Sequence, residues 1–163
     1  MSDGKAIVGI LMGSDSDWPV MKKAAQALED LGVPWEAKVM SAHRTPDDVA
    51  EYARSAADRG LDVIIAGAGM AAHLAGVVAA HTVLPVIAVP IKAKALEGMD
   101  ALLAMVMMPP GVPVATVGVD AGKNAGLLAV QVVGTRDAAV RERFGAFKRQ
   151  MADTARAKVL PPL

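Results

Sequence analysis

The chain contains no cysteine, so a disulfide framework and a thiolate metal site are both excluded. Aromatic residues make up only 3% of its 163 residues, whereas hydrophobic residues of all kinds reach 53%. A core must therefore be packed from Ala, Val, Leu, Ile and Met. Net charge is also missing, with 17 Lys and Arg against 17 Asp and Glu. That balance argues against a broad nucleic-acid footprint and against a polybasic membrane surface. No apolar run approaches the ~18 residues of a bilayer span, and nothing at the N-terminus reads as a signal peptide. The expected setting is a reducing cytoplasm, with no nucleic acid and no membrane as partner.

What is present is length enough for one well-cored domain, expected over residues 1–163 with its core at 6–155 and a tail at 156–163. A mean hydropathy of +0.37 is high for a small chain and suggests surface buried against other copies. Ala6–Met12, Trp35–Met40, Leu61–Ala66, Pro85–Val89 and Val114–Val119 read as short strands, several of them near-continuous apolar runs. Helical patterns fall between and after them, at Trp18–Leu31, Thr45–Arg59, Met70–Ala80, Met99–Met108, Asn124–Val133 and Ala139–Ala155. Ser16 or Asp17 is the expected cap of the first, and Thr45 of the second. Val140, Phe144, Phe147 and Met151 form the expected inward stripe of the last. Strands alternating with helices imply an α/β fold with a parallel five-stranded sheet, and such sheets bind ligands at the carboxyl ends of their strands.

Gly13–Asp17, Ser41–Arg44 and Gly67–His73 all follow expected strands, so they should share one edge. Gly13–Asp17 precedes a helix N-terminus, where N–H groups and the helix dipole favour an anion, although an ordinary βα turn reads the same way. Ser14, Ser16 and Ser41 lack a nucleophile elbow and suit phosphate donation instead. His43 is a candidate acid or base, and Arg44 beside it could fork onto phosphate or else pair with Asp47 or Asp48. The small residues of Gly69–Ala72 would let backbone amides line a ligand, with His73 either in the site or structural. His81 lies roughly 12 Å further along a helix and should point away from the shared edge. The three histidines have no carboxylate cluster near them, so no metal site is expected.

Met12-Gly-Ser-Asp-Ser-Asp-Trp18, Ser41-Ala-His-Arg-Thr-Pro46, Val63-Ile-Ile-Ala-Gly-Ala-Gly69 with Ala71-Ala-His-Leu74, and Gly111-Val-Pro-Val-Ala-Thr116 with Asn124-Ala-Gly-Leu-Leu128 occur in this order. Together they resemble the bacterial class I phosphoribosylaminoimidazole carboxylases, or N5-carboxyaminoimidazole ribonucleotide mutases, of purine biosynthesis. The resemblance covers roughly residues 6 to 155. It implies a flavodoxin-like three-layer α/β/α sandwich, assembled as a homo-octamer. It also implies transfer of a carboxyl group from the exocyclic amine of an aminoimidazole ribonucleotide to ring carbon C4, without metal, ATP or organic cofactor. By the same resemblance Ser14, Ser41 and Arg44 hold the 5′-phosphate and Asp17 the ribose. His43 protonates the departing amine and then removes the C4 proton, with His73 and Gly69–Ala72 around the base. Ser16, Ala42, Met70, Ala71, Ala72 and Leu74 complete the expected binding surface.

Several positions depart from that pattern. The family usually reads Gly-Gly-Ala-Ala-His-Leu-Pro-Gly where this chain has Gly69-Met70-Ala71-Ala72-His73-Leu74-Ala75-Gly76. Ala88 stands for a glycine, and Ala101, Ala104 and Met107 stand where polar side chains are common. Positions 101, 104, 105 and 108 share one helical face, which has become dry and Met-rich. Natural divergence with a repacked core is one reading. A redesigned or impaired variant serving as an oligomeric scaffold is another, and a phosphate-binding module with a different ligand is a third.

Overall fold

The computed structural model describes residues 5–160. Its strands are β1 (Val8–Met12), β2 (Trp35–Val39), β3 (Val63–Gly69), β4 (Val86–Ile91) and β5 (Ala115–Thr116). Its helices are α1 (Trp18–Asp30), α2 (Pro46–Arg59), α3 (Leu74–His81), α4 (Met99–Val106), α5 (Gly122–Gly134) and α6 (Ala138–Arg156). The strands form one parallel sheet in the order β2-β1-β3-β4-β5, the flavodoxin-like order. Val8 pairs with Trp35 on one side and Val63 on the other, while Ile64 pairs with Val86.

Period-two alternation divides the strand side chains between two helical layers. Val8, Ile10, Met12, Val63, Ile65, Ile87 and Val89 pack against α1, α5 and α6. Leu11, Ile64, Ala66, Val86 and Ala88 pack against α2, α3 and α4. With so few aromatics, close helix approach replaces bulk. Gly122 and Gly126 of α5 lie directly on the backbone carbonyls of Val20 and Ala24 in α1. Val140, Phe144 and Phe147 of α6 turn towards the core as expected, but Met151 is 55% exposed and takes no part in the cluster. The helix ends at Arg156, within the expected tail, and residues 161–163 lie outside those described.

Four expectations need correction. Helix α3 begins at Leu74 rather than Met70, because Met70 has φ 56°, a left-handed conformation that no helix accommodates. Strand β4 continues through Pro90 to Ile91, the Pro90 carbonyl accepting the Asp120 N–H at 2.9 Å. Strand β5 shrinks from the expected Val114–Val119 to the edge pair Ala115–Thr116, after which the Val117 N–H makes one more bond, to the Ala88 carbonyl at 3.0 Å, and the chain turns away towards Asp120. The helix caps also differ. Asp17 occupies the N-cap position of α1 but makes no side-chain cap bond there, the side-chain cap lying one turn earlier where Ser14 accepts the Ser16 N–H. Thr45 makes no cap bond because its hydroxyl is bound to Ser41.

Gly126→Ala tests the close α1–α5 contact. Its Cβ would lie 2.5 Å from the Ala24 carbonyl oxygen and 2.9 Å from Ala24 Cα, backbone atoms that cannot rotate away. The gain in helix propensity is about 1 kcal/mol, and overpacking should exceed it, leaving a net loss of about 1–2 kcal/mol. Urea denaturation measures the balance, and a stabilised variant would show that the helices separate freely.

Candidate active site

The parallel order brings the loops after β1, β2, β3 and β4 to one edge, where they enclose a cleft of about 630 Å³. Gly13 extends the ladder by donating its N–H to the Gly67 carbonyl at 3.2 Å. The chain then turns sharply. Ser14 and Asp17 form a reciprocal cap, with the Ser14 N–H donating to Asp17 Oδ2 at 3.1 Å and the Ser14 Oγ accepting the Ser16 N–H at 3.3 Å. The acid at Asp17 is thus held by the start of the turn it helps to build.

The second loop is anchored onto the first. Arg44 Nη2 donates to the Gly13 carbonyl at 2.7 Å, while its Nε and backbone N–H donate to Ser41 Oγ at 3.3 and 3.2 Å. Arg44 is therefore turned to the cleft rather than to Asp47 or Asp48. Its guanidinium, Ser14 and Ser41 line one end of the cleft together. A fixed planar cation beside hydroxyl donors is a suitable cradle for a phosphate group.

His43 and His73 are brought together by two different loops. His43 Nε2 lies 2.9 Å from His73 Nδ1, and the rings meet edge to face at 5.0 Å. One hydrogen can occupy that short contact, so one ring donates and the other accepts. His43 lines the cleft, whereas His73 stands beside it as the partner of His43 rather than as part of the wall. The loop Met70–His73 is tightly folded, with the Ala72 N–H on the Met70 carbonyl at 2.8 Å and the His73 N–H on the Ala71 carbonyl at 2.9 Å.

Ser16, Asp17, Ala42, Gly69, Met70, Ala71 and Leu74 also line the cleft. Ala72 does not: its side chain is buried in the core and its N–H is already used within the loop. Sequence reasoning missed Ile91, Lys92 and Ala93, which close the cleft beyond β4. Their position after a strand of the same sheet was the available signal, obscured because Pro90 seemed to end that strand. His81 sits at the far end of α3 near Arg54, away from the cleft. Among the departures from the family pattern, only Met70 faces the cleft, with 67% exposure. Ala75, Ala88 and Ala101 are buried in one core cluster with Met105.

A flavodoxin-like α/β sheet with a fixed guanidinium, serine hydroxyls and a histidine pair on its carboxyl edge is the arrangement of an enzyme that acts on a small anionic substrate. Comparison with known proteins narrows the class. A family described as AIR carboxylase matches residues 7–154, and the chain belongs to it. It is 58% identical over 148 residues to the N5-carboxyaminoimidazole ribonucleotide mutase of Pyrococcus abyssi, covering 91% of this chain and 85% of that protein. It is 57% identical over 151 residues to the mutase of the same name from Mycobacterium tuberculosis strain H37Rv, covering 93% and 87%. A crystal structure of Treponema denticola PurE superposes with a TM-score of 0.81 at 28% identity, covering 91% of this chain and 92% of that one.

Burial is the largest influence on the Asp17 carboxyl and raises its pKa, against the lowering effect of the Ser14 and Gly13 N–H groups. A raised folded-state pKa means that folding favours the protonated acid, a contribution lost as pH rises through the carboxylate range. Ionised Asp17 is therefore a stability cost at neutral pH. Asp17→Asn keeps an acceptor for Ser14, so urea denaturation should show a gain of under about 1 kcal/mol at neutral pH. The gain should vanish at about pH 3, where both carboxyl and amide are neutral. A loss at neutral pH would show that the charged cap outweighs burial.

Proposed function

We propose that this chain is a cytoplasmic N5-carboxyaminoimidazole ribonucleotide mutase of purine biosynthesis, working without metal or organic cofactor. The observation that carries the reading is the His43–His73 contact of 2.9 Å beside the Arg44 and Ser14 anion cradle, in a chain closely similar to mutases of that name. Arg44, Ser14 and Ser41 hold the 5′-phosphate, and Asp17 accepts from the ribose hydroxyls. Met70, Ala71 and Leu74 cover the base, with Gly69, Ala42 and Ser16 completing the contact surface.

The chemistry then needs one group that is first an acid and later a base. His43 begins as the imidazolium, its Nε2–H donating to His73 Nδ1 and its other nitrogen turned to the exocyclic amine. The N–C bond to the carboxyl group breaks, carbon dioxide departs, and the amine takes the proton from His43. Ring carbon C4 then attacks the retained carbon dioxide, forming a C–C bond. The C4 proton passes to the freed nitrogen of His43 and regenerates the imidazolium. Atoms and charge balance over the cycle, and the shared hydrogen keeps one direction throughout. His73 thus fixes the orientation of the His43 ring and the nitrogen it presents to the substrate. Retention of carbon dioxide supplies the effective concentration that free solution lacks.

Association into a homo-octamer is part of the proposal. The outer face of α4 supports contact between copies: Met99, Leu103 and Val106, with Met107 just past the helix end, are all more than half exposed. Their spacing forms one apolar stripe, which suits a helix seam better than open water.

Two measurements check these statements. Loss of ultraviolet absorbance of 4-carboxy-5-aminoimidazole ribonucleotide follows the back-reaction, and His43→Asn should slow it by about a hundredfold or more with assembly intact. Retained turnover would remove His43 from the acid/base role. Leu103→Lys should shift sedimentation towards smaller species, whereas an unchanged profile would remove the α4 face from the subunit contact.

A further inference from the structure

The cleft has a second cation that the mechanism above does not use. Lys92 follows β4 and lines the cleft at the end opposite Arg44. In the order β2-β1-β3-β4, the loops carrying Arg44 and Lys92 stand three strand spacings apart, about 14 Å. The Arg44 guanidinium already reaches inward to the Gly13 carbonyl after β1, so the two cations approach the cleft from opposite sides, as the two charged ends of a carboxylated mononucleotide would require. Arg44 is committed to its own end by the Gly13 carbonyl and Ser41 Oγ. Among the described residues lining the cleft, Lys92 is the permanent cation left for the other end.

Its backbone is firmly placed. The Lys92 N–H donates to Asp120 Oδ1 at 2.9 Å, and the Asp120 N–H returns to the Pro90 carbonyl at 2.9 Å. Asp120 of this latch and Glu97 of the loop after Lys92 hold left-handed backbone at φ 56° and 54°. Such conformations in non-glycine residues persist where surrounding structure enforces them, and they concentrate at functional sites. The ammonium, in contrast, is held only by Glu97 of the same loop, in a pair whose side chains are 52% and 67% exposed. Ion pairs this open are weak and readily exchanged. A fixed stem with an exchangeable head can accept an incoming anion without moving the chain.

We propose that Lys92 is a specificity-determining residue that binds the migrating carboxylate of the substrate, exchanging Glu97 for it when the nucleotide enters. This rests on the mutase reading above. A carboxylated aminoimidazole ribonucleotide is anionic at both ends, and the cleft offers Arg44 to one end and Lys92 to the other. An uncarboxylated nucleotide has nothing to offer Lys92, so the residue favours the forms that carry the group to be moved.

Calorimetric titration of the intact protein with two nucleotides tests this. For Lys92→Met, affinity for 4-carboxy-5-aminoimidazole ribonucleotide should fall about tenfold or more, the scale of a lost charge-assisted hydrogen bond. Affinity for 5-aminoimidazole ribonucleotide, which lacks the carboxylate, should change by less than about twofold. Lys92→Arg should restore most of the difference, and Glu97→Gln should tighten the carboxylated nucleotide alone. An equal loss for both nucleotides would mean that Lys92 acts only through the general field on the phosphate, and would overturn the assignment. An unchanged affinity for the carboxylated nucleotide would do the same. If the unaltered protein bound neither nucleotide, the mutase reading itself would fail, a result distinct from any effect of Lys92.

Discussion

Strand β1 is hydrogen-bonded on both sides, Val8 lying level with Trp35 in β2 and with Val63 in β3. A slip of one residue in either ladder would turn Val8, Ile10 and Met12 from the α1–α5 layer to the opposite one. It would also move Gly13 away from the Gly67 carbonyl that receives its N–H. The site begins at that bond. Since all strands run parallel, fixing this register places the ends of β1, β2, β3 and β4 together, and the cleft follows without a separate device. The core and the site are thus two consequences of one pairing.

On that edge, the loops stabilise one another while leaving their reactive groups turned to the cleft. Arg44 meets a backbone carbonyl of the first loop instead of a carboxylate, so its positive charge is placed but not neutralised. Asp17 is used as a cap although burial disfavours its charge. His43 rests on His73 from across two strands, which fixes a ring that exposure would otherwise leave mobile. Each arrangement keeps a charge or an exchangeable proton at a fixed place, which is the condition for preorganised catalysis. Stability is given up at Asp17 and at left-handed Met70, both facing the ligand space.

The β-α alternation, the parallel sheet and the convergence of Ser14, Ser41, Arg44 and His43 were legible because each rests on local pattern. Apolar runs mark strands buried on both faces, and the Gly60 end of α2 is left-handed at φ 92° as a helix stop requires. The failures share a different cause. Met70 looks like a helix former, yet the geometry of the β3 exit forces it to φ 56° and delays α3 to Leu74. Pro90 looks like a strand stop, but its carbonyl is the group that the neighbouring loop needs. That misreading also concealed Lys92. Ala72 has the composition of a ligand-lining residue, and only the folding of its loop turns it inward. The Pro90 case was decided by a non-local bond from Asp120, whereas the Met70 and Ala72 cases turned on a tight local loop that composition and periodicity do not reveal.

The departures from the family pattern separate once their surroundings are known. Ala75 of α3, Ala88 of β4 and Ala101 of α4 meet in one buried cluster with Met105, and Met108 lies over Gly76. Polar side chains at position 101 would need partners there, whereas alanine needs none, and methionine fills the uneven space between small neighbours. These changes are mutually consistent as core packing and require no altered site. Met107 belongs to another category: it is 76% exposed on the outward side of α4, continuous with Leu103 and Val106. Helix α4 therefore has two apolar faces, the inner one closing the core and the outer one exposed, where the proposal above places contact between copies. Met70 alone touches the cleft, so it is the departure through which ligand binding is most directly altered. Its backbone conformation suits glycine, and its side chain adds an adaptable apolar cover at the mouth that glycine would not supply. In the mechanism proposed above, which must keep carbon dioxide from escaping, such a cover has a use, because a drier mouth keeps the fragments together while a proton is exchanged.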